Sequence, residues 1–268
     1  MSSDPRGTNT TTENTTVTNN TIDLRGYTLI FNDGFTGPTI SDSLVYNGAK
    51  WYTHNEQCCM TTSDGASTAM VGLSDQPSPF SLIPGDGLRI RLQKINNHWT
   101  SGVLTSVDNS GIGFSQQYGY FEIEAVFPSG YDTWPAFWML NTAAKTNGAP
   151  AGEVDIVEYI ANPGFINYIR STIHDWSDNS VPAWSANPVS PVPSDGNFHT
   201  YGLLWTPQTV TFYYDRNVML QAATPAVMHQ PYYLIVDLGI GAGWPTEATP
   251  PVNDMLVKHI RAYALPAR

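Results

Sequence analysis

Three acidic side chains lie within six residues of an otherwise apolar segment, Gly-Glu-Val-Asp-Ile-Val-Glu-Tyr-Ile at residues 152–160. They are Glu153, Asp155 and Glu158. Like charges this close disfavour joint ionisation, so the cluster is costly unless it is used. A retaining glycosidase would use it: one carboxylate attacks the sugar, a second donates and later removes a proton, and the third assists. A calcium site or a solvent-facing edge strand would also fit these residues.

The segment predicts a β-strand, in which alternate residues share a face. Glu153 and Asp155 then point the same way, whereas strict alternation turns Glu158 toward the apolar side. One β-bulge near Ile156–Val157 would return Glu158 to the face of the other two, and bulges are common beside active sites. The spacing thus predicts three acids on one face of a bulged strand.

An aromatic segment, Thr-Trp-Pro-Ala-Phe-Trp-Met-Leu, precedes the acidic strand at residues 133–140. Its two tryptophans, Trp134 and Trp138, have the same parity if the segment is a strand. Indole rings offer apolar faces of the kind that stack on sugar rings. The pair is therefore a candidate substrate platform, with ordinary core packing as the alternative.

The composition limits the partners that such a site can serve. The 268 residues carry a net charge of −11, and only 13% are charged while 12% are aromatic. This argues against nucleic acid or an anionic membrane as partner. No apolar stretch approaches the ~20 residues of a membrane span. We expect a secreted monomer that acts on a neutral polysaccharide, with no cofactor and no metal.

The elements that must position these side chains are short runs of alternating or β-rich sequence, separated by Gly, Pro, Asn and Asp. We predict strands at 27–32, 88–93, 118–127, 136–140, 153–160, 200–205, 209–215, 232–238 and 256–263. Many short strands with turn-rich links favour an all-β sandwich. Residues 1–24, rich in Thr and Asn, are predicted to be a disordered leader, and 25–268 one domain. The adjacent Cys58 and Cys59 suggest two thiols without a defined role.

The ordered motifs resemble glycoside hydrolase family 16. Residues 153–158 match its Glu-x-Asp-x-x-Glu signature in the bulged, laminarinase-like form. The segments that agree with the family in order are 27–35, Lys50-Trp51, 100–102, 118–122, 133–140, 198–202 with Trp205, and 258–263. The resemblance therefore covers almost everything after residue 25.

The resemblance implies a jelly-roll sandwich of two curved antiparallel sheets with a concave substrate cleft. It implies that Glu153 is the nucleophile, Glu158 the acid/base and Asp155 the assisting carboxylate. Trp138 and Trp134 would bind the sugar. His174, in Thr-Ile-His-Asp-Trp, resembles a cleft histidine near the acid/base, although a loop histidine without a role remains the alternative.

Four positions depart from the family pattern. Gly34 stands where many members have Glu, Tyr120 where many have Arg, and Leu204 where Glu is common. Lys258 replaces an aspartate that calcium-binding members place in the last strand. The resemblance thus leaves the polymer and the metal open.

The sequence leaves three functions open. The first is an endo-acting hydrolase of β-1,3- or mixed β-1,3/1,4-glucan. The second is the same machinery on a galactan or a bacterial exopolysaccharide, or in transglycosylation. The third is a non-catalytic carbohydrate-binding sandwich, which would have no need of the acidic triad.

Overall fold

The computed structural model describes residues 21–53, 65–147, 152–159, 169–177, 182–186, 195–240 and 245–267. Cys58, Cys59 and residues 1–20 of the predicted leader lie outside this part of the chain. The first described residues contact the domain, since the Ile22 N–H donates to the carbonyl of Arg216 at 2.9 Å. Among the described residues, no helix is long and apolar enough to cross a membrane.

The regular structure of the described chain is almost entirely β-strand, as the alternating pattern predicted. In chain order the elements are β1 (Thr28–Asp33), β2 (Ile40–Ser41), β3 (Trp51–Tyr52), β4 (Thr68–Met70), β5 (Phe80–Ile83), β6 (Gly87–Ile95), β7 (His98–Ser101), β8 (Val103–Thr105), β9 (Ser115–Gln116), β10 (Gly119–Val126), β11 (Thr133–Asn141), α1 (Ala143–Asn147), β12 (Gly152–Tyr159), β13 (Ile169–Asp175), β14 (Pro182–Ala186), β15 (His199–Trp205), β16 (Thr209–Tyr214), β17 (Asn217–Ala223), a 3-10 turn (Ala226–Met228), β18 (Tyr232–Ile240) and β19 (Val252–Ala264).

Two sheets form a jelly-roll sandwich. The ten-stranded sheet has the order β17-β16-β15-β10-β19-β6-β7-β4, with β1 beside β19 and β5 beside β6. The nine-stranded sheet has the order β14-β13-β12-β11-β18-β8-β3-β2, with β9 beside β18. This confirms the predicted fold class.

The expectation of purely antiparallel sheets is wrong at two edges. The pairs β2–β3 and β4–β7 run parallel. The outer members β2 and β4 have only two and three residues, and each ends its sheet. Short edge strands of this kind come from loop segments that pair with the edge of a sheet. The sequence gives no signal for the direction in which they run.

The main core lies between the sheets. Alternate residues of the nine-stranded sheet, among them Phe137, Val154 and Val236, pack with Phe121 and Ile123 of the ten-stranded sheet. Burying a large apolar side chain contributes about 1.5–3 kcal/mol, so this shared cluster holds the two layers together.

The opposite side of the nine-stranded sheet, turned away from the ten-stranded sheet, is called here the open face. A smaller cluster of Val103, Val107, Leu140, Tyr233 and Ile235 covers part of it, with Met70 and Trp138 packed against it. Because Leu140 lies opposite Glu153 and Trp138 opposite Asp155 in the β11–β12 pairing, this packed floor adjoins the acidic cluster.

Candidate active site

The predicted bulge is present in β12. Asp155 pairs with Thr172 of β13 and Glu158 with Arg170, so Ile156 and Val157 together oppose Ser171 alone. The Ser171 hydroxyl donates to the Ile156 carbonyl at 3.0 Å, which satisfies a backbone group at the irregularity. Ile156 and Val157 are both buried in the core. The extra residue returns Glu158 to the open face, as its contacts below show.

Glu153 and Asp155 share the imidazole of His174. His174 Nε2 lies 3.3 Å from Asp155 Oδ2 and 3.9 Å from Glu153 Oε1. Glu153 pairs directly with His174 across β12 and β13, so backbone register fixes this juxtaposition. His174 is therefore part of the acidic cluster.

Trp176 completes this end of the site. Its indole N–H donates to Glu153 Oε2 at 3.2 Å. The ring stacks on His174 with centroids 4.6 Å apart and planes 7° from parallel. With 42% of its surface exposed, Trp176 presents an apolar face beside the acids.

Glu158 has a different set of partners. Trp134 Nε1 donates to Glu158 Oε1 at 3.0 Å. Arg170 forms a two-pronged ion pair with it, Nε to Oε2 at 2.9 Å and a terminal N–H to Oε1 at 3.2 Å. Glu158 is only 4% exposed, so these charge-assisted hydrogen bonds replace the water that its carboxyl group loses.

Trp138 reaches a fourth carboxylate. Its Nε1 donates to Asp237 Oδ1 of β18 at 2.7 Å. Asp237 is buried, and its charge acts on Asp155. The two tryptophans predicted to bind sugar thus each bond an acid of the site, and their stacking on sugar stays a prediction.

The surroundings make Glu153 and Asp155 reluctant to ionise. Burial first, and the charge of Asp155 second, raise the pKa of Glu153 to about 8. Burial and then the charge of Glu158 raise the pKa of Asp155 well above its usual range. The charge of Arg170, and then a hydrogen bond with Glu153, offset part of this rise. Two like charges this close favour one shared proton. A proton on Asp155 would leave Glu153 ionised and able to attack.

Glu153, Asp155 and His174 bring potential metal-binding atoms within 4.8 Å of one another. A divalent cation could bridge such a set. A proton shared by the two carboxyl groups, together with the Trp176 N–H, would satisfy the same oxygens without a cation. The expectation of no metal stays a prediction.

Three residues of the site were missed from the sequence: Arg170, Trp176 and Asp237. Arg170 and Trp176 belong to the same every-second-residue series as Thr172 and His174, and a period-2 pattern through β13 would have indicated them. Asp237 is the one charge in the apolar strand β18, a signal as strong as the acids of β12.

Comparison with known proteins identifies the family. The model of glycosyl hydrolases family 16 matches residues 48–253, most of the chain. The chain belongs to glycosyl hydrolase family 16. Residues 48–253 include every site residue described above.

Two of the similar proteins come from Rhizobium meliloti. The chain is 31% identical over 262 residues to the endo-1,3-1,4-beta-glycanase EglC of Rhizobium meliloti, covering 92% of this chain and 54% of that protein. It is 35% identical over 233 residues to the glycanase ExsH of the same species, covering 82% of this chain and 48% of that protein. The chain thus spans about half the length of these two proteins.

Solved structures support the fold. A non-specific endo-beta-1,3(4)-glucanase from family 16 superposes with a TM-score of 0.73 at 22% identity, covering 92% of this chain and 98% of that one. The laminarinase catalytic domain from Thermotoga maritima gives a TM-score of 0.67 at 20% identity, covering 89% and 98%. At these identities the match establishes the jelly roll.

Proposed function

We propose that this family 16 protein is a retaining, endo-acting hydrolase of β-1,3- or mixed β-1,3/1,4-glucan. The observation that carries the proposal is the bulge in β12, which sets three carboxyl groups on one face with different partners. A protein that only bound carbohydrate would have no use for a buried acidic group whose charges repel.

The geometry supports a double displacement. A Glu153 oxygen attacks the anomeric carbon while the glycosidic C–O bond breaks, and Glu158 gives its proton to the departing oxygen. Water then attacks the same carbon, Glu158 takes a proton from it, and Glu153 leaves as a carboxylate. Two inversions return the β configuration, and splitting one difficult step into two lowers the barrier.

Asp155 and His174 assist this cycle through Glu153. The proton on Asp155 leaves Glu153 charged for attack, and a hydrogen bond to the departing carboxylate would help the second step. The His174 imidazole favours the ionised form of Glu153. Both are therefore assigned to control of the nucleophile.

Substrate identity is supported by the relatives. The two Rhizobium proteins are named endo-1,3-1,4-beta-glycanases. A second candidate is a galactan, because the chain is also 30% identical over 165 residues to a keratan-sulfate endo-1,4-beta-galactosidase of Sphingobacterium multivorum. Another exopolysaccharide, or transglycosylation between two glucan chains, would use the same acids.

We also propose that the enzyme is secreted and acts as a monomer on the polymer alone. Polysaccharides of this class do not cross a cell membrane. The low charge and high aromatic content suit an extracellular protein that binds a neutral polymer.

The test is a reducing-sugar screen over laminarin, lichenan, agarose and several exopolysaccharides, followed by NMR of the first-formed product. We expect internal cleavage of laminarin or lichenan with initial β anomer. Glu153→Gln and Glu158→Gln should each abolish it. Cleavage of agarose instead would transfer the assignment to a galactan, and initial α anomer would overturn the retaining mechanism.

A further inference from the structure

Glu158 is held from two neighbouring strands in a way that favours one of its two protonation states. The Arg170 fork spans both carboxyl oxygens at 2.9 and 3.2 Å, and Trp134 adds a third hydrogen bond at 3.0 Å. All three contacts are donors to Glu158. A carboxylate accepts them all, whereas a protonated carboxyl group has its own hydrogen to place and no charge for the guanidinium to pair with.

The proposed reaction needs both states of this group in turn. The first step requires a proton on Glu158 for the departing oxygen, and the second requires the carboxylate to remove a proton from water. Arg170 favours the carboxylate that the second step needs and opposes the protonated form that the first step needs. Protonation must therefore loosen the fork before the glycosidic bond can break.

We propose that Arg170 is a positioning residue that biases the acid/base Glu158 toward its carboxylate form and so sets the upper pH limit of activity. The proposal rests on the function assigned above. Arg170 bonds Glu158 directly, and its charge also lowers the pKa of Asp155. That fixed charge cannot titrate in the working range.

Other charges around Glu158 act in the opposite direction or on other groups. Glu153 and Asp155, on its own strand, oppose a third negative charge. Asp237 on β18 adds to the negative field at Asp155. Strand β11 presents the Trp134 indole, which does not titrate, and His174 of β13 lies against Glu153 and Asp155. The guanidinium of Arg170 is thus the cation bonded to Glu158 among the described residues.

The position of Arg170 allows its effect on Glu158 to be tested without unfolding the protein. Its side chain is 40% exposed, and the strand that carries it is fixed by backbone pairing on both sides. Replacing it opens no cavity in the core between the sheets. A variant should therefore fold and report on the protonation of Glu158.

The experiment compares kcat/KM against pH, on the polymer that the screen identifies, for the wild type, Arg170→Gln and Arg170→Lys. The matched control is Arg91→Gln, which breaks a similar fork to Asp254 in the ten-stranded sheet and removes the same net charge. We expect Arg170→Gln to move the alkaline limb upward by about one pH unit or more, as loss of an adjacent cation should. Arg170→Lys should move it less, and Arg91→Gln should leave it in place.

A second substrate tests whether the alkaline limb of the pH profile reports the proton that Glu158 gives to the leaving group. A dinitrophenyl β-oligoglucoside has a leaving group that departs without protonation, so its kcat/KM should lack the Arg170-dependent shift. An unmoved alkaline limb in a folded Arg170→Gln enzyme, or an equal shift in Arg91→Gln, would overturn the proposal. In either case hydrolysis by the wild type in the same assay would leave the proposed function standing.

Discussion

The Nε2 atom of His174 lies 3.3 Å from Oδ2 of Asp155, on the neighbouring strand of the same sheet. The ring of Trp176 stacks on the face of the same imidazole. A single side chain therefore connects the assisting carboxyl group to an exposed aromatic face. This arrangement makes the charge on the acidic pair sensitive to His174.

Replacing His174 should move the acidic limb of the pH profile. The pKa of Glu153 is raised to about 8, mainly by burial, and His174 counteracts that rise. His174→Phe keeps a ring for Trp176 but removes the N–H and any positive charge. We expect the acidic limb of kcat/KM to move up by about one pH unit or less, because Glu153 must be ionised to attack. The acidic limb of His174→Gln, which retains a hydrogen-bond donor, should lie between those of the wild type and His174→Phe. Superimposable profiles for all three enzymes would contradict the role assigned to His174.

Replacing Glu153, the proposed nucleophile, should stabilise the protein as well as inactivate it. The folded-state pKa of Glu153, about 8, lies above its ordinary value of 4.5. The folded protein then holds a proton that the unfolded chain releases, so stability falls as pH rises from about 4.5 to 8. Glu153→Gln removes this penalty. We expect its melting temperature to exceed that of the wild type at pH 8 by about 2 °C or more, each kcal/mol being worth about 2–4 °C at this size.

The same two melts at about pH 4.5 provide the control for Glu153→Gln. There Glu153 is protonated in the folded wild type, so the difference should shrink toward zero. A variant less stable than the wild type at pH 8 would show that burial does not oppose the charge of Glu153.

Trp176 should contribute to substrate binding through its exposed face. Trp176→Ala removes both the ring and the N–H, whereas Trp176→Phe keeps a ring and loses only the hydrogen bond to Glu153. By analogy with stacking of nucleic acid bases, the alanine variant should lose about 1–3 kcal/mol of binding, seen as a raised KM. The phenylalanine variant should keep most of the affinity and change kcat. An unchanged KM in Trp176→Ala would assign the ring to support of His174 alone.

How much of this site the sequence could predict depends on whether a signal is local. The bulge was predictable because Glu158 breaks the alternation set by Glu153 and Asp155 within one strand. The partners of these acids were less accessible, since the pairing of Arg170 with Glu158 follows from the register between β12 and β13. The direction of β2 and β4 was missed for a related reason, because two or three residues at an edge carry no periodicity. The family resemblance indicated His174 near the acid/base Glu158, whereas its imidazole lies against Glu153 and Asp155.

The last strand carries a charge that bears on metal binding. The resemblance to calcium-binding family members points to an aspartate where this chain has Lys258. Lys258 Nζ donates to the Gly85 carbonyl at 2.5 Å and lies 5.1 Å from the centre of the Phe198 ring. Calcium requires about 6–8 oxygen ligands, several of them carboxylates. The ammonium occupies the Gly85 carbonyl, lies 3.9 Å from Asp86 Oδ1 and repels a cation, so Lys258 itself does not fit a calcium site.

The expected outcome is a melting temperature that neither a chelator nor added calcium changes. Binding to the folded state alone must raise the melting temperature as ligand increases, so the melt reports a site wherever it lies. Lys258→Asp supplies the matched variant, because it restores a carboxylate beside the Gly85 carbonyl and removes the repelling cation. Its melting temperature should be lower than that of the wild type without calcium and should rise when calcium is added. A drop of several degrees in the wild type with chelator, reversed by calcium, would show that other residues bind the ion and that Lys258 does not replace it.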